Sequence, residues 1–246
     1  MSTKVIDVSK HNVVTDWSKV KASGVTGVII RAGYGRLISQ KDKTFENYYA
    51  GAVKAGLHIG TYWYSYAVTA AEAEQEARVF LEAIKGKKFD LPVYLDIEDK
   101  TQVPLGKALC TDITNAFMRV VESAGYFAGV YSFDSFFGSN LDESIRKKYA
   151  IWVARVENVK PSNAPEWGMH QYSWKGKVNG INGDVDLNNC IKSYPQVIKN
   201  AGLNGYSKKA DTYRVTAEIS GLVSAKAGTV AAACEKMGMS VKQEKE

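Results

Sequence analysis

The sequence predicts an irregular α/β barrel of eight strands with fewer helices, followed by a small βαβ-like unit at the C-terminus. Short apolar runs recur through the first 195 or so residues, and most are continuous, as in strands covered on both faces. Amphipathic helical patterns lie between them. These helical patterns thin out after residue 150, so the barrel lacks a helix after every strand.

Taken in order, the first strand is KVIDVS (4–9) and the second GVIIRAG (27–33). A helix over 44–55 ends at Gly56, and HIGTYWYS (58–65) forms the third strand. Over 69–85, Thr69 followed by Glu72 makes a capping box. Ala73, Ala77, Leu81 and Ile84 then recur at helical spacing, and Gly86 stops the helix. LPVYLDIE (91–98) is the fourth strand. A helix over 106–124 carries Leu109, Ile113, Phe117, Val120 and Ala124 on one side and ends at Gly125. FAGVYS (127–132), YAIWVA (149–154), WGMHQYS (167–173) and DVDLN (184–188) complete the eight. The barrel is expected over 1–203 and a linker over 204–212. In the unit 213–246, Tyr213, Val215, Ala217 and Ile219 alternate as in a half-buried strand, 224–237 is helical, and MSVKQ suits a second strand. So small a unit rarely stands alone.

The bulk composition narrows the function classes. With 246 residues, 45% hydrophobic and 24% charged, the chain has ordinary globular composition. It contains no run of 18 apolar residues, so no membrane span is expected. The start, MSTKVIDVSKHN, has no long apolar segment and reads as lacking a cleavable leader. Cys110, Cys190 and Cys234 are odd in number and far apart, which suits buried or half-buried free thiols. The net charge of +6 favours an anionic partner. Its lysines and arginines are scattered without a nucleic-acid-reading motif, so no nucleic acid is expected.

The stretch LPVYLDIED raises the chemical question, because Asp96 and Glu98 end an apolar run. Carboxylates are rarely buried without a partner. Residues two apart on a strand share a face, with Cα atoms roughly 6.5 Å apart. In an α/β barrel, active residues gather at the strands' C-terminal ends. Glycoside hydrolysis needs one acid that holds its proton for the leaving oxygen and one ionised carboxylate, and mutual repulsion separates their pKa values. A surface ion-pair network would give the same doublet. Two more acids count against that: Asp7 closes KVID and Asp186 closes GDVD, making an acidic ring without an obvious basic cluster. Such a ring also suits a divalent metal. The three histidines, His11, His58 and His170, show no ligand spacing, and no metal or cofactor is expected.

Aromatics gather at the same strand ends: Tyr34, Tyr62, Trp63, Tyr64, Tyr131, Trp152 and Trp174. Such rings suit the flat C–H faces of sugars, and they equally fill cores. Tyr62 and Tyr64 are expected to share an orientation and Trp63 to take the other face.

These segments together resemble the lysozymes of glycoside hydrolase family 25, the N-acetylmuramidases of bacteria and their phages. The matching pieces are IDVSKHN, GVIIRAGYG, HIGTYWYSYA, AEAEQEARVFLEAI, LPVYLDIED, GVYS, IWVA, MHQYS and GINGDVDLN, in family order over about residues 3 to 195. YLDIED with the closing VDLN is the specific part. The resemblance implies an irregular eight-stranded barrel that cleaves the β-1,4 bond between N-acetylmuramic acid and N-acetylglucosamine in peptidoglycan, without a cofactor. It implies Glu98 as general acid and Asp96 as its ionised partner, either stabilising charge or orienting the 2-acetamido group. Asp7 and Asp186 would be supporting acids. Tyr62 and Tyr131 fall where the family contacts substrate, and Tyr34, Tyr64, Trp152 and Gln171 complete the expected substrate-binding set. The resemblance leaves open whether the nucleophile is a carboxylate or the substrate's own acetamide.

The tail at 213–246 departs from the family's catalytic unit. It resembles neither choline-binding nor SH3-type repeats and is loosely similar to half of a SPOR-type peptidoglycan-binding fold. Its expected role is wall binding or pairing of two chains. Two rival readings remain. A family 18 chitinase-like hydrolase also uses an Asp-x-Glu strand end, but Pro92 and Tyr94 stand where that family carries aspartates. A non-catalytic wall-binding protein would be expected to have lost some of the four acids. The positive charge suits a Gram-positive wall rich in teichoic acid. The missing leader suits an endolysin held in the host cytoplasm before lysis, or a secreted enzyme read without its leader.

Overall fold

The computed structural model describes residues 2–156, 159–208, 224–239 and 241. The chain divides into two units, Met1–Lys209 and Ala210–Glu246.

In the first unit the apolar runs become the staves of a closed barrel. In chain order its elements are β1 (Thr3–Val8), β2 (Val13–Val14), α1 (Trp17–Ala22), β3 (Val25–Tyr34), α2 (Phe45–Lys54), β4 (His58–Tyr64), α3 (Ala70–Ala83) and β5 (Val93–Asp96). Then come α4 (Gly106–Ser123), β6 (Ala128–Phe133), α5 (Asp134–Ser139), α6 (Glu143–Lys148), β7 (Ala150–Ala154), β8 (Met169–Gly176), β9 (Ile181–Asn182), β10 (Val185–Cys190) and α7 (Tyr194–Ala201). Around the barrel the order is β1-β10-β8-β7-β6-β5-β4-β3, closing on β1. All eight expected strands are present. β2 and β9 add a two-stranded antiparallel ribbon beside them.

From β3 through β8 neighbouring strands are parallel, and β1 pairs parallel with β3. β10 is the exception, running antiparallel to both β1 and β8. This corrects the expectation that Asp186 closes a strand. It is the second residue of β10, and only the reversed direction brings it to the end of the barrel where Asp7 stands one residue before the end of β1. The reversal follows from the hairpin connecting β8 to β10, which is too short to hold a crossover helix.

The helices cover the outside. Thr69 caps α3 by accepting the Glu72 amide at 3.2 Å, and Glu72 Oε2 accepts the Val68 amide at 2.9 Å. α3 and α4 pack against each other through Phe80 and Phe117, whose rings stack 5.9 Å apart. Gly86 and Gly125 take φ of 76° and 81° at the expected helix stops, where a side chain would be strained. Leu109, expected on the packed face of α4, is exposed, and Cys110 is buried in its place. Cys110 and Cys190 are buried free thiols and Cys234 is a half-buried one.

The start of the expected linker, 204–212, belongs to the barrel. Asn204 is buried, with φ at 55°. Its amide donates to Gly125 O at 3.0 Å and its carbonyl accepts from Phe89 N at 3.2 Å. Its Oδ1 accepts from Phe127 N at 2.7 Å, while Nδ2 donates to Leu91 O at 2.9 Å. One side chain thus replaces a missing strand partner for two loops, which no composition-based reading of NGYSKKADT would show. In the second unit a helix, α8 (Ser224–Lys236), matches the expected one. The expected strand at 213–219 and most of that at 239–243 lie outside the described residues. Among the described residues no helix is long and apolar enough to cross a membrane.

Replacing Asn204 with Ala leaves the Phe127 amide and Leu91 carbonyl without partners and puts a Cβ-bearing residue without local hydrogen bonds at positive φ. The expected loss is roughly 2–4 kcal/mol. Urea unfolding of the full chain checks it; a loss under about 1 kcal/mol would show that Asn204 does not clasp the barrel.

Candidate active site

The ends of β5, β1 and β10 meet at one mouth of the barrel. β5 ends at Asp96, and the extended chain continues two residues to Glu98, held by Ile97 N donating to Tyr131 O at 3.1 Å. Ile97 is fully buried between the two acids, as alternation requires. Asp7 and Asp186 face each other as partners in the β1–β10 register.

Gln171, on β8, organises the acids. Its Nε2 donates to Asp7 Oδ2 at 3.0 Å and to Asp186 Oδ2 at 3.2 Å. Its Oε1 accepts from Tyr131 Oη and Trp174 Nε1, each at 2.9 Å. The amide's donors and acceptors are therefore engaged by protein groups. Gln171, expected to bind substrate, is a buried bracket for the acids. Asn188 repeats the device: Nδ2 donates to Asp7 Oδ2 at 2.8 Å and Oδ1 accepts from Trp152 Nε1 at 2.7 Å.

The electrostatics follow from burial. Asp7 is raised from the ordinary carboxylate range by burial, against the amide bonds from Asn188 and Gln171. Asp96 is pushed well up by burial, then by the charges of Glu98 and Asp7, with Arg31 opposing. Burial, then Asp7 and Asp99, push Glu98 up to about 7. Asp186 rises to about 8 through burial, the charge of Asp7 and their shared hydrogen bond. Asp96 Oδ1 and Glu98 Oε2 are buried without a hydrogen-bond partner. Asp7, with two amide donors, is the best-supported anion of the four. Among the described residues no group of three or more His, Cys, Asp or Glu is arranged to hold a metal ion.

The aromatics separate into floor and rim. Trp152 is 1% exposed and lies under Tyr131, with ring centroids 4.3 Å apart. Tyr131 is also buried, and its hydroxyl is spent on Gln171. Trp152 offers no open face to a sugar, because its inward-pointing ring fills the interior of a closed barrel. Tyr62, Tyr64 and Tyr34 are half-buried at the rim, while Trp63 is fully buried on the other face against Phe80.

Besides Asn188, three site residues escaped the sequence reading. Tyr66, 47% exposed, meets the rings of Tyr34 at 6.1 Å and Tyr64 at 5.1 Å. The period-two series Tyr62, Tyr64, Tyr66 is a signal that could have found it. Arg31 interrupts an apolar run; its Nε bonds the buried Asp42 at 2.8 Å, and its charge favours ionised Asp96. Glu76, buried on α3, accepts the Tyr66 amide at 2.9 Å and so fixes that rim. Burial raises its pKa to about 7.

The family model for glycosyl hydrolases family 25 matches residues 6–181, and the chain belongs to this family. An autolytic lysozyme of Clostridium acetobutylicum is 33% identical over 186 residues, covering 75% of this chain and 54% of that protein. This chain therefore spans about half of that relative's length. Lysozyme M1 of Streptomyces globisporus is 31% identical over 200 residues, covering 74% of this chain and 66% of that one. The crystal structure of the CTP1L endolysin superposes with a TM-score of 0.71 at 29% identity, covering 80% of this chain and 70% of that one.

Raised carboxyls have a cost that depends on pH. Each keeps its proton to a higher pH when folded than when unfolded, so above about pH 5 these groups bind more protons in the folded chain and their contribution to stability falls as pH rises. The fall runs from about pH 5 through the values near 7 for Glu98 and Glu76 and near 8 for Asp186. For Glu98 alone it is on the order of 3 kcal/mol. Thermal unfolding across this range is expected to show a falling Tm, flattened in Glu98→Gln and in Asp186→Asn. A wild-type Tm that rises over the same range would contradict the burial cost.

Proposed function

We propose that this chain hydrolyses the β-1,4 bond between N-acetylmuramic acid and N-acetylglucosamine in peptidoglycan, with Glu98 as general acid. The observation that carries this reading is the Glu98 carboxyl itself, raised to about 7 at the mouth of a barrel and surrounded by other acids. An acid with that pKa keeps its proton below about pH 7, and about half of it remains protonated at neutrality, so it can give a proton to a glycosidic oxygen. The lysozymes among the chain's relatives support the same substrate.

Asp96 complements this. Ionising it is costly while one oxygen is buried without a donor. A positive charge developing on the sugar ring, or an amide N–H of the 2-acetamido group, would offset that cost. The interaction would strengthen toward the transition state, which is what accelerates a reaction. At Asp7, the amide bonds from Gln171 and Asn188 favour the ionised form against the larger cost of burial. No step requires a cofactor. The net charge of +6 favours anionic wall polymers, so a Gram-positive wall is the proposed target. Action at the wall after release from a host cytoplasm, as for an endolysin, and action after secretion both accord with this chemistry.

The test is reducing-end release from purified Gram-positive peptidoglycan, with mass spectrometry of the products. The wild type is expected to yield reducing N-acetylmuramic acid, with a rate that falls above about pH 7 as Glu98 loses its proton. Glu98→Gln is expected to lose about 10²–10⁴-fold in rate. Wall binding without any product would overturn the reading in favour of a binding protein.

A further inference from the structure

One rim aromatic lies outside the expected substrate-binding set. Trp174 is 46% exposed. Its indole N–H is fixed to Gln171 Oε1 at 2.9 Å, and its ring meets Phe133 edge to face at 6.2 Å and 78°. Exposed tryptophans on a surface usually have rotational freedom, and fixing both the edge and one flank removes it. The indole is left 46% exposed in this fixed orientation. The residue holding it, Gln171, also bonds Asp7 and Asp186, so the platform and the acids share one amide.

Topology sets where this ring stands. β8, which carries Trp174, is four places around the eight-strand ring from β4, whose end, with that of neighbouring β3, carries the tyrosine lip of Tyr34, Tyr64 and Tyr66. Asp96 and Glu98 extend from β5, between β4 and β6. A chain laid from the tyrosine lip to Trp174 therefore crosses the acids, with an aromatic face at each end. Alternating flat C–H faces and polar edges are the chemistry of a polysaccharide, and aromatic rings with a satisfied polar handle are suited to it.

We propose that Trp174, steadied by Phe133 and Gln171, is a specificity-determining residue that stacks on a sugar of the glycan strand across the acids from the tyrosine lip. The proposal rests on the hydrolase reading above and deepens it: the substrate is an extended glycan held on both sides of the scissile bond, so short fragments that cannot reach Trp174 are poor substrates. Its contribution is to substrate binding, since the indole lies beyond the reacting pair.

The test uses the full chain and soluble peptidoglycan glycan chains of two defined lengths, one disaccharide unit and four. Trp174→Ala is expected to raise KM for the longer chain about tenfold or more, with kcat nearly unchanged, and to abolish the preference for length. Trp174→Phe keeps a ring and is expected to recover most of the affinity. Circular dichroism at matched temperature confirms that each variant is folded. Binding of the same glycans to Glu98→Gln, with and without Trp174→Ala, is read by calorimetry. Unchanged KM and binding in Trp174→Ala would overturn this proposal while leaving the hydrolase reading intact. A wild type that cleaves nothing, with glycan affinity still lost on Trp174→Ala, would overturn the hydrolase reading and keep Trp174 as a glycan contact.

Discussion

The reversed strand β10 is the constraint on which the site depends. Closing between β1 and β8, it completes the barrel and sets Asp186 opposite Asp7 at the same mouth as Asp96 and Glu98. Were β10 parallel, Asp186 would stand at the far end and the acids would be three. The same reversal aims Asn188 inward, where it holds Asp7 on one side and Trp152 on the other. Gln171, its register partner on the neighbouring strand β8, donates to the same Asp7 oxygen.

Four carboxyls around one mouth oppose folding. Burial raises all of them, and the charge of Asp7 raises the other three further. The protein offsets part of this with neutral amides, which support a negative charge without bringing a cation into the cleft. Arg31, whose charge favours ionised Asp96, is tied to Asp42 and is only partly available to the acids. Strong neutralisation would lower Glu98 and remove the proton it is proposed to donate. The cost is borne by an apolar core running from Ile6 and Val8 to Phe80 and Phe117, packed around the barrel wall. Such local conflict set within an otherwise consistent fold is where function is expected.

Much of this was legible in the residues. The continuous apolar runs, the Thr69 cap and the glycine stops mark local preferences that the tertiary structure respects, so strands and long helices are found where expected. Asp96 and Glu98 are legible because period-two alternation carries beyond the last hydrogen-bonded residue. The direction of β10 is not: VDLNNC has no pattern that separates parallel from antiparallel pairing. The fates of the aromatics are equally hidden, since Trp152 and Trp174 have the same propensities and differ only in whether the ring points into the closed barrel or over its rim. Gln171 and Asn204 act through partners over 100 residues away in sequence, at Asp7 and at Phe89 and Leu91, so no local signal distinguishes them from surface amides.

The most direct test of the central claim, that the barrel mouth holds its acids protonated into the neutral range, is a carbon-13 carboxyl NMR titration, with Glu98 assigned by its loss in Glu98→Gln. The account predicts that Glu98 titrates near 7 and Asp186 near 8, well clear of the exposed carboxylates. If every carboxyl instead titrates below about pH 5, in the ordinary range, the mouth is solvated, Glu98 has no proton to give at neutral pH, and the account is wrong at its centre.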